Sequence, residues 1–365
     1  MSHLVLVGGG HAHLTILKHL QDVTQRGHAV TVVSPDRYHY YSGMGPGLLG
    51  QTYDPQQIRF DVQKMVVDGG GVFLSDRVVT LRPAQKTLLL ASGQSLAYDI
   101  ASFNTGSEVA VPPECELDDG LIPVKPIVNL VAARQRLLAR PQSQSLRLLV
   151  VGGGPAGTEV AGNLRYLLDR NERCGEVIQI AGNRLLADFP ERMRTLVLKQ
   201  FAARQIDVRE GRRLSGYAEG RAFLDDGTEL SADGVFLASG VRPAAHFRQS
   251  EMQVGADGGL LVNRMLQAVE TPELFAGGDC LCFAERPLAK VGVYAVRQNP
   301  VLFENLLAAL SGDALQPFTP QRRYLLVLNT GAGQGVMHWR GHVLAGRWVN
   351  RLKDRIDRRF VQRFQ

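Results

Sequence analysis

Cysteine is scarce, with four residues in 365, at positions 115, 174, 280 and 282. That number and scatter exclude a secreted disulfide framework. No C-x-x-C or C-x₄-C spacing occurs, which excludes a reductase working through a reactive dithiol. Cys280 and Cys282 lack a second pair to complete a metal site, so no metal is expected. Long apolar runs are missing too: none approaches the ~20 residues of a membrane-spanning helix. Met1 runs at once into the first strand, which leaves no room for a signal or transit segment; the expectation is a cytoplasmic protein. Positive charge is thin outside one place. The formal balance is +6, but Arg347 to Gln365 holds seven Lys or Arg against two Asp, a local +5 that leaves +1 for everything else. Basicity confined to a tail argues against nucleic acid as a partner. The remaining composition, 45% apolar and 21% charged, is that of a soluble globular protein, and the length suggests two or three domains.

What the chain has in quantity is glycine, and its placement is informative. Leu4 to Leu20 reads LVLVGGGHAHLTILKHL: a buried strand, a glycine turn, then a helical pattern. This layout sets a pyrophosphate on a helix N-terminus. One such turn is weak support, and here His13 stands where the third glycine is expected. A second copy, LLVVGGGPAGTEVAGNL from Leu148 to Leu164, has Gly152, Gly154 and Gly157 in place. Two dinucleotide turns call for two dinucleotides, as in a flavoprotein that also binds a nicotinamide nucleotide. After each turn come a hairpin and a strand ending in glycine, Gly106 in the first copy and Gly240 in the second, so an entire nucleotide-binding unit is duplicated.

An acid normally closes the second strand of such a unit, where it binds ribose hydroxyls. Here the first copy has Ser34, with Asp36 nearby, and the second runs from Ile180 into Ala181-Gly182-Asn183-Arg184. Without a carboxylate a 2′-phosphate is not repelled, and Arg184 could attract one, which leaves NADH and NADPH both open. The glycine- and aromatic-rich YHYYSGMGPGLLG, containing Ser42 and Gly43, reads as a segment passing close to a flavin. VFLSDRVVTL, LAYDIASFNTGS, DVREGRRLSGYAE and RAFLDDGTELSA each read as one strand, Pro123 to Pro126 as part of a crossing linker, and Ala295 to Leu310 as a helix. In the tail, Trp348, Leu352, Ile356, Phe360 and Phe364 recur every four residues beside Arg351, Arg355 and Arg358, the pattern of an interfacial helix. The expectation is contact with an anionic membrane from the cytoplasmic side, or else docking on the protein's own body or in a homodimer.

GGGHAH, TGS at 105–107, GGGPAGTEVAGNL, LASGVRP, LFAGGDC and GVYAVRQNPVLFENL together resemble the two-dinucleotide flavoproteins of the pyridine nucleotide-disulfide oxidoreductase superfamily. Within it the chain is similar to type II NADH dehydrogenases and sulfide:quinone oxidoreductases. YSGMGPGLLG, VKPI, QRRYLLVLNTG and GRWVNRLKDRIDRRF further resemble the flavoprotein module fused ahead of selenide, water dikinase in some bacteria. The resemblance implies an α/β fold with two Rossmann-like domains, the second inserted in the first: FAD-binding over 1–110 and 241–316, NAD(P)H-binding over 111–240, and a C-terminal region over 317–365.

The resemblance also implies roles. Gly8, Gly10, His11 and Ala12 would cradle the FAD pyrophosphate, with Ser34, Ser42, Gly43, Val78, Thr105 and Gly106 completing that side. Gly278 and Asp279 would hold the ribityl chain or pyrophosphate, and Gly292 and Val293 the flavin pyrimidine edge. Gly152, Gly154, Pro155, Ala156, Gly157 and Gly240 would hold NAD(P)H, with Arg184 at its ribose. Glu159 beside the nicotinamide, Gln298 toward a quinone and Lys125 beside the flavin are the catalytic candidates. The implied activity is NAD(P)H oxidation through FAD to a quinone-type acceptor. The alternatives are a sulfide:quinone-like or selenium/sulfur-species oxidoreductase, or a non-catalytic flavin-binding partner protein. Sulfide oxidation needs cysteines near the flavin and one late in the chain, whereas the last here is Cys282.

Overall fold

The computed structural model describes residues 1–365. Apolar runs such as Leu4–Val7 and Val30–Val33 are buried along their whole length, as strands are when helices cover both faces of a parallel sheet. The first sheet runs Leu274–Ala276, Ile100–Phe103, His3–Val7, Ala29–Val33, Val72–Leu74, all parallel. The second runs Leu121–Pro123, Gly234–Leu237, Leu146–Val151, Gly175–Ala181, Ile206–Glu210, again all parallel. Place for place the two orders correspond, with the glycine-turn strand in the middle of each. This is the expected α/β class with two Rossmann-like units. All of the second sheet lies in the chain between two neighbouring strands of the first. Glu108–Val109 pairs antiparallel with Val241–Arg242, so the chain enters and leaves the inserted unit side by side.

Each copy also carries a three-stranded antiparallel meander: Val78–Arg82, Thr87–Leu90 and Ser95–Ala97, then Leu214–Ala218, Arg221–Leu224 and Glu229–Ser231. Four stretches expected to be single strands are therefore two strands apiece: LAYDIASFNTGS falls across Ser95–Ala97 and Ile100–Phe103, and RAFLDDGTELSA gives Arg221–Leu224 and Glu229–Ser231. VFLSDRVVTL breaks between Leu74 and Val78, and DVREGRRLSGYAE breaks after Glu210, where Gly211 has φ +67°. In these two, the first piece joins the parallel sheet and the second the meander. Apolar periodicity does not register the break, because both pieces keep strand-like patterning across a short polar turn. Pro123 ends an edge strand, a place where its missing N–H costs nothing.

The chain finishes with a separate antiparallel sheet, Leu326–Gly331, Gln334–Trp339 and His342–Ala345, followed by a helix over Arg347–Phe364. The sheet lies against the Pro155–Arg170 helix so closely that a Cβ on Gly162 would stand 2.2 Å from the Thr330 carbonyl oxygen. One core surrounds the first sheet; the other joins the second sheet to the C-terminal sheet and reaches Met44, Leu48 and Phe60 of the first unit.

The terminal helix does not present the expected stripe. Val349, Asp357, Val361 and Phe364 are buried against the body, while Trp348 and Ile356 are exposed. With 3.6 residues per turn, a four-residue repeat slips about 40° around the helix at each step. The stripe therefore starts on the solvent side at Trp348 and reaches the body only at Phe360 and Phe364.

Candidate functional site

The two glycine turns differ in a way that their internal alignment explains. In each, the first glycine lies on the end of the neighbouring strand: a Cβ would stand 2.4 Å from the Asn104 carbonyl oxygen at Gly8 and 2.2 Å from that of Ala238 at Gly152. Asn104 and Ala238 are equivalent positions, in FNTG and LASG. Ala238 ends at a methyl, whereas the Asn104 side chain works as a clamp. Its Oδ1 accepts from the Ala12 N–H at 3.0 Å and its Nδ2 donates to the Gly277 carbonyl at 2.5 Å. Three loops are thereby tied together at the first turn. Gly10 is needed beside it, since a Cβ would meet Asn104 Oδ1 at 2.1 Å.

Gly157 lets the second helix pack on its strand; a Cβ there would be 2.2 Å from the Gly152 carbonyl oxygen. His13, its equivalent, is fully buried and donates from Nδ1 to the Gly8 carbonyl (2.7 Å), leaving Nε2 to accept from Ser102 (2.8 Å). Burial holds its pKa down at about 4, so the ring is neutral. The first helix, without the close packing a glycine allows, begins as a 3₁₀ turn at His11–His13 and breaks at His19. His11 is also buried, its pKa lowered to about 4 by desolvation and then by Lys125. Its Nδ1 meets His39 Nε2 at 3.1 Å, and its Nε2 has no partner in the protein.

Beyond the turn, several expected residues converge. Asp279 accepts from Ser107 Oγ at 2.8 Å and from Lys125 Nζ at 2.7 Å, and Lys125 also donates to Ser107 at 3.0 Å. The N-terminus of the Gly292–Ser311 helix faces the Ser42–Met44 turn, where a Cβ on Gly292 would lie 3.6 Å from Ser42 Oγ. The positive end of that helix dipole, at Gly292 and Val293, thus points toward Ser42. Gly106, at φ +73°, has nothing within 4 Å of a would-be Cβ. Ser34 turns to its own loop and donates to the Asp36 carbonyl (3.2 Å), and Val78 begins the first meander. Gln298 does not face an open acceptor space. It is 1% exposed, and its Oε1 accepts from the Gly278 N–H at 2.7 Å, while the adjacent Asn299 accepts from Thr15 N at 2.9 Å.

The terminal helix reaches this region from the other side. Lys353 Nζ donates to the Gly43 carbonyl and to Asp357 Oδ2, both at 2.6 Å. Tyr41 Oη donates to Asp357 Oδ1 at 3.3 Å. Glu159 lies opposite, accepting from the Asn329 N–H at 2.8 Å. Burial pushes the Glu159 carboxyl up to about 7, against the pull of Lys353 and of that N–H. Asn104, Lys353 and Asp357 were not foreseen from sequence. Comparing FNTG with LASG would have exposed the first. The other two lie with Val349, Val361 and Phe364 along one face of the terminal helix, a face that the apolar count from Trp348 passes over.

At the second turn the ground is open. Gly154 has nothing within 4 Å of a would-be Cβ, nor has Gly240 at φ +116°. Pro155 starts the helix, where its missing N–H is no loss, and Ala156 is exposed. Arg184 is ion-paired with Glu191.

Both sites fit a dinucleotide. The first offers the unpartnered His11 Nε2, the helix end at Gly292 and the space before Gly106; the second offers a turn bare of side chains before a helix N-terminus. Among curated proteins the chain is 24% identical over 344 residues to the NADH dehydrogenase-like protein YutJ of Bacillus subtilis, covering 90% of each. It is 26% identical over 325 residues to the external alternative NAD(P)H-ubiquinone oxidoreductase B1 of Arabidopsis thaliana, covering 78% of this chain and 56% of that one. Among solved structures, NDH2 from Plasmodium falciparum in complex with NADH superposes with a TM-score of 0.79 at 14% identity, over 99% of this chain and 98% of the other. The family profile described as pyridine nucleotide-disulphide oxidoreductase matches residues 2–299. The chain belongs to the pyridine nucleotide-disulphide oxidoreductase family, flavoproteins that bind FAD and NAD(P)H.

Proposed function

We propose that this protein oxidises NAD(P)H at the second glycine turn and passes the electrons through FAD, held at the first, to a quinone-type acceptor. The observation that carries the reading is the convergence of Lys125–Asp279, the Gly292 helix end and the Ser42–Gly43 turn, approached by Lys353 from the terminal helix and by Glu159 from the inserted unit. When bound, FAD would supply the redox chemistry, hydride acceptance followed by release of electrons singly or in pairs. The protein's part is placement and charge. Gly152, Gly154 and Gly157 admit the NAD(P)H pyrophosphate. The Gly292–Val293 amides and Lys125 put positive charge where reduction adds negative charge. Glu159, titrating near neutrality, holds a proton beside the nicotinamide. Two electrons leave with the hydride, and a quinone needs two protons to become a quinol. The Arabidopsis relative, by its name, uses ubiquinone.

An exposed face of the terminal helix supports a lipid-side acceptor. Arg347, Arg351, Arg355 and Arg359 are exposed there with Trp348 and Ile356, as on a helix resting on an anionic surface. No helix is long and apolar enough to cross a membrane.

The test is anaerobic reduction of the purified yellow protein by NADH and NADPH, followed by reoxidation with a short-chain ubiquinone, polysulfide or selenite. Bleaching by nicotinamide and rapid return of colour with the quinone are expected. Gly154→Val, which faces open space and so leaves the fold intact, should keep its FAD and lose the bleaching. Lack of bleaching in wild type would make the protein a non-catalytic flavin binder. Return of colour with sulfur or selenium species but not quinone would change the acceptor.

A further inference from the structure

Resting on the second turn as the NAD(P)H site, we infer that the chain selects NADPH, and that Arg213 rather than Arg184 recognises its 2′-phosphate. In a Rossmann site the adenosine ribose lies at the end of the strand after the glycine-turn helix, where a carboxylate holds the 2′-hydroxyl and repels a 2′-phosphate. That strand here is Gly175–Ala181, and Ala181-Gly182-Asn183 follow the turn's contour without a carboxylate. Ala181 borders the turn itself: a Cβ on Gly153 would be 2.8 Å from the Ala181 Cβ. One residue on, a Cβ on Gly182 would be 3.1 Å from Arg213 Cγ and 3.3 Å from its Nε. The Arg213 side chain therefore lies beside the strand end, close against Gly182. Its loop is fixed there by two backbone bonds, Arg212 N to the Ala181 carbonyl (3.2 Å) and Gly211 N to the Asn183 carbonyl (3.1 Å).

The surrounding charges single out the same residue. Arg184 pairs with Glu191, Arg194 with Glu191 and Glu210, and Arg212 with Asp226. Glu210 also accepts from Leu185 N, and Asp225 from the backbone N–H of Arg213. The nearby acids are thus engaged, and Arg213 is the guanidinium of the group that has no carboxylate partner. It is exposed, and its planar donor fork matches two phosphate oxygens.

Calorimetric titration of the FAD-loaded protein with 2′,5′-ADP and with 5′-AMP tests this without turnover. Wild type should bind 2′,5′-ADP roughly ten to a hundred times more tightly than 5′-AMP, the range for charge-assisted hydrogen bonds. Arg213→Gln should bring the two to parity without changing 5′-AMP affinity, and Arg184→Gln should leave the preference standing. Flavin reduction, followed by stopped flow in the same variants, should show NADPH losing its advantage over NADH only in Arg213→Gln. Parity in wild type, or a preference that survives Arg213→Gln, would overturn the inference while reduction by NADH still upheld the nicotinamide site. Failure of both nucleotides to reduce the flavin, with no binding of 2′,5′-ADP, would overturn both.

Discussion

A carboxyl that ionises near pH 7 inside a fold records what its surroundings cost it. Glu159 is raised from an ordinary 4.5 to about 7, chiefly by desolvation. The folded protein therefore holds this proton more tightly than the unfolded chain does. Stability from this group is full at acid pH and is lost as pH rises from about 4.5 through 7. Glu159→Gln keeps an oxygen for the Asn329 N–H but cannot titrate. Urea denaturation of both proteins at pH 5 and pH 8 should show wild type falling relative to the variant, by up to about 1.4 kcal/mol per pH unit at the steepest point. Curves that stay parallel would remove the shift. Glu159 was readable from its motif because spacing from a glycine turn fixes its place on the helix. Gln298 and Arg184 have partners that the sequence does not show, for a shared reason: their environment is supplied by the fold. Gln298 is turned inward by a bare N–H at Gly278, and Arg184 is claimed by Glu191. Composition cannot tell a polar side chain with a prior engagement from one that awaits a ligand.

At the level of elements, helices and glycine turns were legible, and the terminal helix was legible only as a helix. The apolar count from Trp348 missed the buried face because that face, Val349 to Val361, includes two polar members, Lys353 and Asp357, that satisfy each other. The consequence is experimental. Deleting Trp348–Gln365 removes not just an exposed basic surface but the Lys353 bond to Gly43, and uncovers the seats of Val349, Val361 and Phe364. Truncation is therefore expected to loosen the flavin pocket whether or not lipid is bound. Arg351→Glu with Arg355→Glu, both exposed, separates the two effects. The pair should keep its FAD yet lose flotation with vesicles containing phosphatidylserine at low salt; flotation unchanged in the double variant would leave the helix as a structural clasp alone.

The duplicated plan of the whole molecule was the clearest signal in the chain, because two copies test each other. Agreement between the copies located the glycine turns and the strands that end in glycine, while the disagreement of His13 with Gly157 marked the first site as particular; the second difference, Asn104 against Ala238, acquired its meaning only from the Asn104 bonds to Ala12 and Gly277. The meander breaks were not legible, since a three-residue turn leaves no mark on apolar periodicity. The insertion of one unit inside the other also sets an order of events in time. Leu274 must find Ala101 across 173 residues of chain to complete the first sheet. If the inserted unit condenses first, the pairing of Glu108–Val109 with Val241–Arg242 joins its two ends, and the gap still to be closed shrinks to about forty residues. Each doubling of loop length costs only about 0.6 kcal/mol, so this shortcut saves little free energy. It does remove an entire mobile unit from the search. We predict that pulsed hydrogen exchange during refolding protects the amides of Leu146–Val151 before those of Ile100–Phe103. Simultaneous protection of both strands would mean that the host and its guest condense in a single step.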